Sequence, residues 1–444
     1  MSIDNTMTTS RRKLFTLGAA AGLAPFLRDD EFAGAERIVS RTVPGQIDVK
    51  SFGAVGDAIA DDTSPFQKAL DAAHKMGGGV VYAPSGQYRL KGNLTIPDGV
   101  SLRGSFGCAP SHAGIRDAGQ PKPGEDGTAL LVTAGRGQED AAAFLTLNCN
   151  STLAGLTIYH PEQSRDGIPV AYPWTIAMKG TNAAVLDVEL LNPYQGINAA
   201  NAARHMIRNV TGQPLRRGIF VDAIYDIGRI ENVHFNPWWS YGTAAYRWQT
   251  ENGEAFIFGR ADWEYVLNTF CFGYRAGYRF IETKSGTCNG NFLGIGADDC
   301  NRCIQIEQCS SYGLLIVNGE FTSFHGANPT MIEVAATNSG VVRINNSAFW
   351  GPCNQIAYID GHGTVCFSDC NFVYWGREPG LAAVRARSGS VMIRGCEFRQ
   401  NKKHIMLEKS VDRAIITGNL FTGTVQIDNA SGGDVQIGLN AESQ

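Results

Sequence analysis

From residue 150 onward the polar and apolar positions repeat one figure: two or three β-forming residues, a small or amide residue, then an apolar or aromatic residue three positions later. RIENVHF, LIVNGEF, RINNSAF, CFSDCNF, MIRGCEF and IITGNLF carry it. The marker residues are Gly155, Asp187, Asn209, Asn232, Asn268, Gly294, Asn318, Asn346, Asp369, Gly395 and Gly418, although at Asn268 and Gly294 the trailing aromatic is shifted or missing. Successive markers stand 22 to 28 residues apart, except for 32 between Gly155 and Asp187 and 36 between Asn232 and Asn268. A period in the twenties made of short β-segments, with no helical pattern between them, defines a solenoid: one unit cannot bury its own apolar face and must stack on its neighbours. Leucine-rich repeats share the period, but their leucine-and-asparagine consensus is absent. A parallel β-helix is the architecture predicted, with inward residues of successive rungs stacking into ladders. Asn209, Asn232, Asn268, Asn318 and Asn346 are accordingly read as an inner amide ladder rather than as catalytic groups.

The segment before the repeats has another pattern. DVKSFGAVGDAIADDTSPFQKALDAAHKMGGGVVYAPSGQYRL predicts a helix with Thr63 or Ser64 as N-cap, Pro65 in the first turn, Phe66, Leu70 and Ala73 on one face, and a stop at Gly77. A β-forming run follows it. The open end of a solenoid exposes strand edges and core, so a capping helix is expected there.

Composition narrows the partners. The chain has 444 residues, 18% of them charged, and a formal net charge of −4, too little positive charge for nucleic acid as the main partner. TTSRRKLFTLGAAAGLAPFL places Arg11 and Arg12 before a short apolar run, with AGA at Ala33–Ala35, and predicts a twin-arginine export signal over residues 1–35. The alternative, a basic amphipathic helix, fits poorly because the run is unpatterned and ends at Pro25. No later run approaches the roughly 18 apolar residues of a membrane span, so an exported protein is expected, periplasmic or secreted and off the membrane after export. Eleven cysteines are an odd number, and most lie in apolar segments such as NTFCFGY. Cys300 and Cys303, or Cys366 and Cys370, have half-zinc-site spacing, but no histidine follows at ligand spacing, so cysteine reads as a small buried hydrophobe.

The segment DVKSFGAVGDAIADDTSPFQKALDAA…GGGVVYAPSGQYRL resembles the N-terminal signature of the pectate-lyase-like superfamily, in particular its rhamnogalacturonase or epimerase-like right-handed β-helices. The resemblance implies an all-β, right-handed, single-stranded parallel β-helix of about 10–12 rungs over residues 46–435. Residues 46–104 would form the cap and first rungs, and 150–435 the regular ones. It also implies a carbohydrate ligand, but selects no reaction, since hydrolases, lyases, epimerases and phage tailspikes share the fold. Trimers are common among such β-helices, so a homotrimer is an expectation of the resemblance that no residue pattern here carries.

The two long rung spacings mark loops that leave the coil, and insertions in solenoids build binding faces. One is YHPEQSRDGIPVAYPW (159–174); the other lies within NPWWSYGTAAYRWQTENGEAFIFGRADWEYV (236–266). Leaving from one corner, they would wall a common groove. Trp174, Trp238, Trp239, Trp248 and Trp263 are candidate platforms for pyranose rings, with His234 and Arg260 beside them; the plain alternative is packing against the coil.

Glycosidic cleavage needs two carboxyl groups, one protonated and one ionised. Glu251, Glu254, Asp262 and Glu264 are on offer, and on a strand Asp262 and Glu264 share a face with Arg260. Asp222 and Asp226 are reserves. GADDC, with Asp298 and Asp299, and GHG, with His362, resemble motifs of polygalacturonases, but the upstream NTD and the RIK after GHG are missing; Glu320 near His325 is similarly ambiguous. The leading reading is an exported glycoside hydrolase acting on a poly- or oligosaccharide, with no cofactor required. A lyase or uronate epimerase would need an arginine or a cation, such as calcium on clustered acids, to neutralise the uronate carboxylate, and Arg216, Arg217, Arg247 and Arg260 keep that class open. A non-catalytic glycan-binding solenoid is the third reading.

Overall fold

The computed structural model describes residues 45–112 and 125–443. They form a right-handed parallel β-helix of short strands, with helix α1 (Thr63–Lys75) near the start and α2 (Ala244–Asn252) in a loop. The export-signal reading of residues 1–35 lies outside the described residues. Among the described residues no helix is long and apolar enough to cross a membrane.

Each rung has three faces. The strand Arg229–Phe235 bends at Asn232, so residues 229–231 lie on the first face and 233–235 on the second, and Glu254–Phe258 forms the third. The next rung repeats this with Ala261–Leu267, Phe270–Phe272 and Ala276–Phe280, paired in parallel through Ile230↔Val266, Phe235↔Cys271 and Phe256↔Tyr278. Like residues therefore stack along the axis inside the coil. Phe235, Phe256 and Tyr278 lie face to face at 5.4 and 4.8 Å, and Phe258 lies 5.2 Å from Phe280. Nine cysteines, from Cys271 to Cys396, are buried with free thiols, as expected of a small hydrophobe.

The marker residues occupy a different place from the one expected. Gly155, Asp187, Asn209, Asn232, Asn268, Gly294, Asn318, Asn346, Asp369, Gly395 and Gly418 all have positive φ, between 46° and 68°. They form the bend between the first and second faces, where Gly, Asn and Asp are tolerated best. The amide ladder exists but runs along the outside: Asn209 Nδ2 donates to Asp187 Oδ1 at 2.8 Å, Asn232 to Asn209 at 2.7 Å and Asn346 to Asn318 at 2.8 Å. The requirement is on the backbone, and it turns the side chain out.

Helix α1 buries Phe66, Ala69, Leu70 and Ala73 against the first strands and ends before Gly77 at φ 91°. Its N-cap is Asp62, not Thr63 or Ser64. The Asp62 carboxylate accepts instead from the Val55 and Gly56 N–H groups, tying the preceding turn to the helix. Strands Thr128–Val132 and Leu145–Leu147 belong to the early rungs, and pairing continues to Ala441–Glu442 at the far end.

Candidate functional site

The two long loops leave from the same corner, between the second and third faces. Ala245 N–H donates to Arg165 O at 2.9 Å, and the Arg165 guanidinium lies 5.5 Å from the centre of the Trp239 ring. Leu191, Leu215, Trp239 and Ala245 make a small core between the loops, with Tyr159 and Trp238 against it. The loops thus form one wall, standing over two different surfaces.

On the third face, Arg217–Val221, Glu254–Phe258, Ala276–Phe280 and Arg302–Ile306 are neighbouring parallel strands, so charges from four rungs meet. Glu254 is buried and contacts Arg275, Arg279 at 3.0 Å and Arg216 at 4.0 Å. Arg279 also binds Glu307 at 2.6 Å, Arg302 binds Glu333 at 2.5 Å, and Arg217 lies 3.6 Å from Glu139. Five arginines (Arg216, Arg217, Arg275, Arg279, Arg302) against four glutamates (Glu139, Glu254, Glu307, Glu333) leave an excess of one positive charge, with three fork-shaped donors gathered on the buried Glu254 and suited to a carboxylate ligand. Aromatic rings border it: Trp174 stacks on Phe220 at 6.2 Å, and Trp248 of α2 lies 5.8 Å from Tyr194. The Tyr194 hydroxyl donates to Glu139 Oε2 at 3.4 Å; burial, then the Glu139 charge, raise its pKa.

On the second face a cleft of about 420 Å³ is lined by Phe270, Gly296, Asp298, Glu320 and Trp350. Trp350 Nε1 donates to Glu320 Oε1 at 3.1 Å. Burial raises the pKa of Asp298, and the Glu320 charge adds to it. Asp299, at φ 52°, turns the other way, contacts His325 and accepts from the Tyr246 hydroxyl of α2 at 3.3 Å; burial pushes its pKa up to about 6. His234 pairs with Phe270 on the next strand and packs 4.7 Å from Trp238, and burial lowers its pKa. Asp298 and Glu320 thus line the second-face cleft, Asp299 and His325 meet beside Tyr246 of α2, and Glu254 with its arginines belongs to the third face.

The pairing of Asp262 with Glu264 does not occur. Between Ala261 and Glu264 the register shifts by a bulge, and Trp263 takes φ 55°, which breaks the period of two. Glu264 points into the coil, wholly buried, with His205 Nε2 3.0 Å from its Oε1. Asp262 stays outside, bound by Arg260 at 2.8 Å. Trp239 is buried loop core, Trp238 packs beside it, and Trp263 stands on the first face away from both surfaces. Glu251 is exposed at the end of α2, and His362 is exposed in a turn between rungs. Asp222 accepts from Arg260 N–H and from the Thr283 hydroxyl at 2.8 Å each, and Asp226 binds Arg204 at 2.6 Å; both acids tie turns together. Arg275, Arg279, Tyr194, Glu139 and Trp350 escaped the sequence reading. Their only common signal was position near the corner of successive rungs, which is visible once strands are in register.

The donor set of the third face does not fit a resident calcium ion. Glu139, Glu254, Glu307 and Glu333 are each paired with arginine. Among the described residues no group of three or more His, Cys, Asp or Glu side chains is placed to hold a metal.

Comparison with known proteins shows what the chain is similar to. Residues 46–236 match the family described as rhamnogalacturonase A/epimerase, pectate lyase-like, in agreement with the N-terminal signature. Among individual relatives, alginate lyase 7 of Azotobacter vinelandii is 56% identical over 57 residues, 13% of this chain and 7% of that protein. Mannuronan C5-epimerase AlgE1 of the same organism is 55% identical over 51 residues, 12% of this chain and 4% of that one. The matched segments thus span a small part of these relatives. The solved A-module of mannuronan C5-epimerase AlgE6, also from Azotobacter vinelandii, superposes over 90% of this chain and 99% of the module, with a TM-score of 0.52 and 17% identity, a likeness of fold.

Proposed function

We propose that the protein is a carbohydrate-active enzyme that works on a uronate polymer by removing the C5 proton, as a lyase or C5-epimerase, on the third face under the corner loops. The observation that carries this reading is the convergence of Arg216, Arg275 and Arg279 on the buried Glu254, an arginine surface with aromatic borders. The segments shared with an alginate lyase and a mannuronan epimerase support it. When C5–H ionises, charge spreads into the uronate carboxylate, and guanidiniums fixed by Glu254 stabilise it where it develops. The Tyr194–Glu139 pair is the proton-handling group beside them. Loss of the C4 oxygen then gives an unsaturated end, whereas return of a proton from the other side gives the epimer. The Arg11–Arg12 signal supports export, by which the enzyme would meet its polymer outside the cytoplasm.

The test is incubation with alginate, polymannuronate and polygalacturonate in D₂O, with calcium or with EDTA. Ultraviolet absorbance of unsaturated ends, deuterium at C5 and reducing ends are read together. Unsaturation or C5 deuterium is expected, and reducing ends alone would overturn the reading. A second reading, glycoside hydrolysis, is favoured by one observation: Asp298, with its raised pKa, lies diagonally from Glu320 on the adjacent strand, which is in register with Gly296, in a cleft also lined by Trp350. Reducing ends lost in Asp298→Asn would establish it.

A further inference from the structure

We propose that a cleft on the first face is a second saccharide site, which takes a neutral glycan and does not depend on the arginine surface. The cleft measures about 280 Å³ and is lined by Trp263, Tyr265, Asn289, Gly290, Asn291 and Tyr312, with no charged side chain in its lining. Tyr312 at 85%, Trp263 at 62% and Tyr225 at 62% are the most exposed aromatic side chains among the described residues, and two of the three belong to this cleft.

The exposure of Trp263 is built in. A bulky residue at φ 55° is unusual and strained. The register shift between Ala261 and Glu264 turns it outward, and its N–H is held by Asn289 Oδ1 at 3.1 Å. The fold thus spends a bulge and a strained dihedral to keep a large ring in water.

The arrangement suits pyranose units. Trp263 lies on the strand to one side of the Asn289 strand, and Tyr312 in the turn that leads into the strand Leu314–Val317 on its other side, two strand steps of about 4.8 Å away. Between them the floor is bare backbone at Gly290, where a Cβ would lie 2.3 Å from Glu264 O. Aromatic faces stack on the C–H faces of sugars, and the Asn291 amide can both donate to and accept from hydroxyls, while buried Asn289 holds Trp263 N–H and the Asp262 carboxylate and so fixes the wall. With no charge lining the cleft, a uronate gains nothing there over a neutral sugar.

Affinity electrophoresis of the whole protein in gels containing xylan, glucomannan, mixed-linkage β-glucan or alginate tests this. At least one neutral polysaccharide should retard the protein, and Trp263→Ala and Tyr312→Ala should each weaken retardation roughly tenfold. Arg279→Ala should leave it intact, and both aromatic variants should turn over short uronate oligosaccharides as the wild type does, which separates this site from the arginine face. Tyr312 lies in an exposed turn, so its variant stays informative if Trp263→Ala folds poorly. Retardation by no neutral polysaccharide, by alginate alone, or equally in both variants would overturn the proposal. So would self-association in sedimentation that Tyr312→Ala abolishes.

Discussion

Glu264 and His205 face each other in the interior with no access to water. Burial opposes protonation of His205, but the charge and hydrogen bond of Glu264 outweigh it and raise its pKa. A histidine whose folded pKa exceeds its unfolded value of about 6.5 contributes stability that is fully present below that pH and is lost as pH rises through the folded value. Glu264→Gln should therefore cost about 3–5 kcal/mol in mildly acidic buffer, where it strips a buried cation of its partner. In thermal melts across pH the gap to wild type should narrow above about pH 6.5; a constant gap would mean a neutral hydrogen bond. On the third face, Arg279→Ala should lower kcat/KM on a uronate polymer by about 10²-fold, the usual loss on removing one charge-stabilising donor. Steady-state kinetics against Tyr194→Phe as a second variant would check it. None of these partnerships was legible in the sequence. Glu254 and Glu264 both sit in a charged stretch, and their partners Arg275, Arg279 and His205 come from other rungs.

At the scale of elements, the bend between the first and second faces explains why the repeat could be read at all. Every rung must pass through a left-handed conformation, and that requirement selects Asn, Asp or Gly whatever the surroundings. The same series misled about direction, because residue type alone does not tell whether a position was chosen for its side chain or its backbone. Substitution separates the two. Asn232, at φ 52°, donates to Asn209 Oδ1 at 2.7 Å. Asn232→Val should destabilise by about 1–2 kcal/mol through the left-handed backbone alone, whereas Asn232→Gly loses one exposed ladder bond and should change stability by less than about 1 kcal/mol. Denaturant midpoints give the comparison, and a larger loss in the glycine variant would put the ladder ahead of the bend. The loops were legible as two excess spacings, since a solenoid cannot absorb extra residues within a rung. Their common corner is confirmed by the Ala245–Arg165 hydrogen bond.

For the whole molecule, charge decides which surface can meet an acidic polymer. The chain carries a formal net charge of −4, so a polyuronate is repelled on average and must be drawn by the local arginine surface at Arg216, Arg275 and Arg279. The cleft with Asp298 and Glu320 adds further negative charge on the neighbouring face, which steers an acidic chain toward the third face rather than across the corner. The cleft at Trp263 has no charge in its lining. The two proposed carbohydrate surfaces should therefore respond to salt in opposite manner. Between about 0.1 M and about 1 M salt the Debye length falls from about 10 Å to about 3 Å, so KM for the uronate polymer should climb while retardation by a neutral polysaccharide stays constant or strengthens. Parallel loss of both would tie the first face to the same electrostatic attraction. A KM indifferent to salt would remove the arginine surface from substrate binding and return attention to the carboxylates of the second face.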